Sequence, residues 1–259
     1  MSRGSLCAVG IGIRAPEQTS REAAARIERA EKVFSLVADP LAQYWVASLN
    51  PSTESLTYLY ARDKERRQTY LDMVERILEE VRAQRSVCAV SYGHPGVAAF
   101  PLHESVRRAR SEGFDAEMLA AVSAEDCLFA DLGVDPMVGG CRSYEATDFL
   151  VHGRGADPAS NLVLWQIGAI GETSWKPDAG VWNRDGLAVL VDTLLATYPS
   201  EHEVVVYEAA RFPATPPKIA RVALRDVANA GVTPLSTLYV PPSVESTVDE
   251  AMARRLGYL

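Results

Sequence analysis

"VCAVSYGHPG", residues 87–96, is an apolar run that stops abruptly in a glycine–proline turn. A short valine-rich run bounded by such a turn reads as a buried strand. Upstream, Tyr70, Met73, Val74, Ile77, Leu78 and Val81 recur at helical spacing, so an amphipathic helix leads into this strand. Downstream, a helix is expected from about His103 to Glu112, stopped by Gly113, and then a strand at "DAEML" (115–119).

The same alternation extends outward. "SLCAVGIGI" (5–13) reads as a strand ending in glycines and "VFSLVAD" (33–39) as a second strand. Between them a helix is expected, with Thr19 and Glu22 spaced as a capping box. Ser123 and Asp126 can cap "SAEDCLFADLG" (123–133), which Gly133 ends. Strand–helix alternation implies an α/β fold with a mostly parallel N-terminal sheet flanked by helices. After "VDPMVGG" (134–140) the pattern changes. "SYEATDFLV" (143–151), "NLVLWQIGAI" (161–170), "EVVVYEA" (203–209) and "TPLSTLYV" (233–240) read as strands of a mixed C-terminal sheet. "GLAVLVDTLLATY" (186–198) is a helix among them, and "STVDEAMARRLGYL" (246–259) a terminal one. A boundary is expected near 120–140, giving an N-terminal α/β domain at 1–122, a C-terminal α/β domain at 123–242 and a helical tail at 243–259.

The 259 residues are 47% hydrophobic and carry a net charge of −8, which argues against a general nucleic-acid binder. No apolar run approaches the roughly 18 residues needed to cross a bilayer, so a cytoplasmic protein without membrane partners is expected. Cys7, Cys88, Cys127 and Cys141 are scattered, as are the four histidines, so most thiols are expected buried and free, with no metal site.

Gly10 and Gly12 follow a strand, which fits a plain turn as well as a ligand loop; the third glycine of a dinucleotide fingerprint is absent. Tyr92 to Val97 lie where parallel sheets hold ligands, and their glycines and aromatic suit a nucleoside-bearing molecule, although His94 also reads as a satisfied loop histidine. "YLYARDKERRQTYLDMV" (58–74) gathers tyrosines and arginines at a helix start, where carboxylates are preferred. Arg66 shares a helix face with Tyr70 and Met73, and Arg67 shares the next with Leu71 and Val74, so periodicity admits either as the inward one. A snorkelling arginine beside a core-edge tyrosine is the plain reading.

Taken together the chain resembles the borosin peptide α-N-methyltransferases, relatives of the tetrapyrrole methylases. The resemblance is carried by "LVADP" (36–40), "LNPSTESL" (49–56), "RRQTYLDMVERIL" (66–78), "YGHPGV" (92–97), "SAEDCLFADLGVDP" (123–136), "YEATDFL" (144–150), "LWQIG" (164–168), "VVVYEA" (204–209) and "STLYVPP" (236–242). Ala121 and Val122 stand where the family has Gly-Ile after a proline, Ala98 where phenylalanine is frequent, and Thr57 where fungal members have a tyrosine.

The resemblance implies a two-domain tetrapyrrole-methylase-like fold and methylation of backbone amides of a ribosomal precursor peptide by S-adenosylmethionine, with S-adenosylhomocysteine as product. Because 17 residues follow "STLYVPP", it points to the split form, acting on a separate precursor, as a homodimer that complexes with it. It places Tyr60, Arg66 and Tyr70 on catalytic positions, with Tyr92 completing the pocket. Methylation needs the amide proton removed and charge held on the oxygen. Tyr60 is expected as the base, its pKa lowered by Arg66. The donor site is expected to involve Gly10, Tyr92, His94, Val97, Ser123, Ala124, Gln166, Tyr207, Glu208, Ser236 and Thr237. The alternatives are a tetrapyrrole or other small-molecule methyltransferase of the same fold, and an inert precursor-binding module.

Overall fold

The computed structural model describes residues 4–176, 180–212 and 214–259. In the first unit, β1 (Ser5–Gly10), β2 (Lys32–Leu36), β3 (Thr53–Ser55), β4 (Ser86–Ser91) and β5 (Asp115–Met118) form a sheet in the order β3-β2-β4-β1-β5. Every pairing is parallel, with Val9 opposite Val90 and Gly10 opposite Ser91. Parallel neighbours require crossovers. These contain α1 (Arg21–Arg29), α2 (Pro40–Leu49), α3 (Arg66–Arg82) and α4 (Phe100–Ser111), and α5 (Ala124–Leu132) follows the last strand.

The pleat sorts the strand residues between two cores. Cys7, Val9, Cys88 and Val90 pack with Ala23 and Ile27 of α1 and Val46 of α2. Leu6, Ala8, Val87 and Ala89 pack with Met73 and Ile77 of α3 and Leu102 and Val106 of α4. Each fully buried aliphatic side chain contributes about 1.5–3 kcal/mol, which makes both faces of this sheet strongly specified. The chain therefore leaves β1 toward one face and the adjacent β4 toward the other. Such a divergence opens a crevice at the carboxyl ends of the two strands, where open parallel sheets bind ligands.

In the second unit, β6 (Cys141–Glu145), β7 (Asn161–Trp165), β8 (Glu203–Glu208), β9 (Lys218–Ala223) and β10 (Thr237–Val240) run in the order β6-β7-β10-β8-β9. Only β6 and β7 pair in parallel, so this sheet is mixed. Phe149 of α6 (Ala146–Val151), Leu190 and Leu194 of α7 (Arg184–Leu195) and Val227 of a 3-10 turn pack on it. No helix among the described residues is long and apolar enough to cross a membrane.

The units are Met1–Leu132 with Thr173–Pro177 and Ala209–Pro217, and Gly133–Glu172 with Asp178–Glu208 and Lys218–Leu259. They divide after α5, and two later stretches return to the first unit. Differences from the sequence reading are local. α2 was not foreseen, although Asp39 caps it through Leu41 and Ala42 and Pro40 occupies its first turn. "SYEATDFLV" is only half strand, because the Glu145 carboxylate accepts from Asp148 N at 2.8 Å and starts α6. The cap of α1 is Ser20, not Thr19, whose hydroxyl donates to Ile11 O at 2.9 Å. β3 and β9 were missed, and the terminal helix α8 is only Glu250–Arg255.

Candidate active site

Tyr60 closes a 3-10 turn, Thr57–Leu59, that follows β3, while Arg66 and Tyr70 lie in the first two turns of α3. Arg66 is half-buried and Arg67 exposed, which decides between the two stripes that periodicity allowed. Arg66 Nε donates to the Tyr70 hydroxyl at 3.3 Å. The Tyr60 and Tyr70 rings meet edge to face with centroids 6.4 Å apart. Two aromatics extend the row: Phe100 stands 6.3 Å from Tyr70, and Trp175 stands 5.8 Å from Tyr60. Tyr58 is 62% exposed and turns its hydroxyl to Glu54 instead.

The expected lowering of the Tyr60 pKa is overturned. Burial pushes this phenol well above its ordinary value, and the charge of and hydrogen bond to Tyr70 push it the same way. Arg66 works in the expected direction but is outweighed. Tyr60 is therefore a protonated phenol in the resting chain. The Tyr70 oxygen accepts from Arg66, so its own hydrogen points elsewhere. Burial also raises Tyr92, to about 12, although the residue is 36% exposed and Arg211 opposes the shift.

Around the crevice, Gly93 N donates to Gly12 O at 2.9 Å, and both glycines take positive φ, 68° and 71°. A β-carbon at Gly10 would lie 2.1 Å from Gly93 O, 2.8 Å from Pro95 Cδ and 2.7 Å from Ala121 Cβ. Gly10 is thus required for loops to close, and the departure at Ala121 packs directly against it. His94 Nδ1 accepts from Gly96 N at 2.9 Å, and Val97 is 47% exposed. Ser123 and Asp126 cap each other reciprocally: Ser123 N donates to Asp126 Oδ2 at 2.7 Å and Asp126 N to Ser123 Oγ at 3.2 Å. Ala124 follows in the first turn of α5. Beside this cap opens a cavity of about 540 Å³ lined by Arg14, Gln18, Cys127, Ala210 and Pro216 among others.

In the second unit Gln166 sits just after β7 with a left-handed backbone, φ 59°. Glu208 Oε1 accepts from Ser236 Oγ at 2.5 Å and Thr233 Oγ1 at 2.8 Å. Burial opposes the Glu208 charge, yet these bonds and Lys218 hold its carboxyl below the ordinary value. Tyr207, Ser236 and Thr237 are buried side chains, so two of the expected donor contacts, Glu208 and Ser236, already satisfy each other.

The profile of the Tetrapyrrole (Corrin/Porphyrin) Methylases matches residues 5–227. The chain belongs to the tetrapyrrole methylase family. It is 40% identical over 99% of its length to a methyltransferase/ribosomally synthesized type III borosin cyclic peptide precursor of Anomoporia bombycina, covering 30% of that protein. It is equally similar, over 99% of its length, to the omphalotin A precursor methyltransferase of Omphalotus olearius, covering 62% of it. It thus spans about a third to two thirds of the length of these curated relatives. The uroporphyrin-III-C-methyltransferase of Thermus thermophilus shares the fold, with a TM-score of 0.65 at 20% identity over 93% of each chain. Diphthine synthase does too, with a TM-score of 0.61 at 13% identity over 97% of this chain and 95% of that one.

Proposed function

We propose that this tetrapyrrole methylase methylates backbone amide nitrogens of a ribosomally made precursor peptide, using S-adenosylmethionine. The observation that carries the reading is the half-buried Arg66–Tyr70–Tyr60 cluster, in a chain whose 40%-identical relatives are named as fused methyltransferase and cyclic-peptide precursors. The precursor is taken to be a separate chain, which a cytoplasmic homodimer engages.

An amide nitrogen is a poor nucleophile because its lone pair is delocalised onto oxygen. Arg66 and the Tyr70 hydroxyl would hold the negative charge that develops on that oxygen, and Tyr60, packed edge to face on the Tyr70 ring, would hold that ring in place. The Arg66 guanidinium would also make the amide N–H more acidic. The expected base role of Tyr60 is replaced by this supporting role, since burial keeps its proton on; the amide proton displaced as the methyl group moves from sulfur to nitrogen would pass to water.

The residues fit a sulfonium donor in one respect. The Ser91 hydroxyl, at the carboxyl end of β4, is buried and has no partner among the described residues, leaving a polar group for a bound molecule to satisfy. Gly10, Tyr92, His94, Val97, Ser123 and Ala124 of the first unit, and Gln166, Tyr207, Glu208, Ser236 and Thr237 of the second, are the proposed donor residues. When bound, S-adenosylmethionine supplies an already activated methyl group, so no metal is needed.

The test takes the purified chain, S-adenosylmethionine, and the precursor portion of the Omphalotus olearius relative as a separate peptide. Binding heat with the donor and mass gains of whole methyl groups on backbone nitrogens are expected. Donor binding without peptide methylation would point to another acceptor, and neither result would leave the inert binding module. Light scattering tests the dimer.

A further inference from the structure

Residues 173–176 belong by sequence to the connection between β7 and α7, but they fold against the start of α3. Trp175 N donates to Lys64 O at 3.0 Å, Asp63 N to Trp175 O at 3.1 Å and Arg66 N to Thr173 O at 2.8 Å. The result is a short antiparallel bridge between Glu65 and Ser174. α3 needs it. Its N-cap Glu65 makes no side-chain cap bond and its first turn holds no acidic residue, while Arg66 and Arg67 place positive charge at the positive end of the helix. Thr173 O therefore satisfies a helix-start N–H at the very residue that carries the guanidinium. Two residues on, the Trp175 ring covers Tyr60 at 5.8 Å. From the other side, Lys64 Nζ ties the same turn to Leu59 O at 2.9 Å and Asp72 at 2.8 Å.

We propose that Trp175 is a positioning residue for methyl transfer, the working end of a strap, residues 173–176, that fixes Tyr60 and Arg66 relative to Tyr70. The inference rests on the reading of that cluster as the amide-holding site. One segment holds both partners: its backbone sets the start of α3, hence Arg66, and its indole sets the ring plane of Tyr60. The same indole covers the phenol from water and so contributes to the burial that keeps Tyr60 protonated. A loop without regular structure of its own thereby determines the geometry of groups more than a hundred residues earlier in the chain.

The experiment uses Trp175→Ala, Trp175→Phe and Trp175→Leu, each alone and combined with Tyr60→Phe. The first readout needs no peptide. Absorbance titration of phenolate, taken as the difference between each protein and its Tyr60→Phe partner, isolates Tyr60. Trp175→Ala is expected to bring Tyr60 down toward the ordinary phenol value of about 10, while Trp175→Phe keeps it raised. With the Omphalotus olearius precursor peptide as probe, kcat is expected to fall about ten- to a hundredfold in Trp175→Ala, the size of a misplaced reacting group. Calorimetric donor affinity should stay constant, Trp175→Phe should recover most of kcat, and Trp175→Ala should add little on top of Tyr60→Phe. If Trp175→Ala does not fold, Trp175→Leu, which keeps bulk without the ring, takes its place in both readouts. An unshifted Tyr60 titration in the folded variant, or rate effects of the two positions that multiply in full, overturns the proposal. Full activity of Tyr60→Phe alone would instead overturn the reading of the site, and the titration would still decide whether Trp175 holds Tyr60.

Discussion

Gly10→Ala should damage this protein far more than Gly96→Ala, although both glycines sit in the loops around the crevice. At Gly10 the added carbon would lie 2.1 Å from Gly93 O, about an ångström inside any real contact. That oxygen cannot step aside cheaply, because Gly93 N is bonded to Gly12 O at 2.9 Å and Ser91 O accepts from Ile11 N at 3.1 Å. Overpacking of this kind costs about 1–3 kcal/mol. A backbone hydrogen bond broken to relieve it costs about 0.5–1.5 kcal/mol net. Gly10 does not have a positive φ, so alanine gains back only about 0.4–1 kcal/mol from a stiffer unfolded chain. The net expectation is a loss of about 0.5–4 kcal/mol, against the roughly 5–15 kcal/mol of a typical domain. At Gly96 the nearest atoms are side-chain ends, Met118 Sδ at 3.0 Å, His94 Cε1 at 3.2 Å and His103 Nε2 at 3.3 Å, which can yield. Its cost should stay within about 0.5 kcal/mol. Urea denaturation of the three proteins measures both, and calorimetry shows whether Gly10→Ala also weakens donor binding. A Gly10→Ala protein as stable as the parent, or less affected than Gly96→Ala, refutes the close-approach argument.

Three further expectations follow from the site. Because burial raises the Tyr60 pKa, its contribution to stability is complete below the unfolded-state value near pH 10 and is lost as pH rises above it, by at most about 1.4 kcal/mol per pH unit. Denaturation midpoints of Tyr60→Phe should therefore fall less steeply than those of the parent between about pH 10 and 12, and parallel curves would contradict the protonated phenol. Arg66→Ala should lower peptide methylation by about 10²–10³ while donor affinity holds, and equal loss of both would remove Arg66 from the amide site. Ser123→Ala should cost about 0.5–2 kcal/mol in denaturant by uncapping α5, and no loss would mean that the Asp126 carboxylate caps alone.

Where a signal was local and repeated, the sequence carried it. The inner stripe of α3 is buried at Met73, Val74, Ile77, Leu78 and Val81 as the spacing implies, and Gly113 and Gly133 take positive φ directly after their helices. The mixed second sheet was legible in outline, but β9 was not, because an edge strand with alternately exposed residues shows little apolar signal. "SYEATDFLV" misled because an aromatic and β-branched composition masks a glutamate cap. In the site, Arg66 and Tyr70 could be paired by helical spacing, whereas Phe100 and Trp175 could not be found. Their contacts join residues from separate connections, and nothing near "ETSWK" (172–176) announces that it pairs with residues 63–66.

The reversal at Tyr60 shows why a residue inventory underdetermines chemistry. A tyrosine near an arginine suggests a phenolate, since the cation favours the charged form. The same two groups give a phenol once one of them is enclosed, because desolvation acts on the whole charge while a half-exposed guanidinium is screened by water. Which effect wins depends on enclosure, and here the enclosing elements are the Tyr70 ring, from the next helix, and Trp175, from a distant loop. The identities at positions 60, 66 and 70 thus fix which groups meet one another, while the ring packing around Tyr60 fixes whether it keeps its proton. Substitutions at Trp175 should consequently alter the pH dependence of turnover more than they alter affinity for the donor.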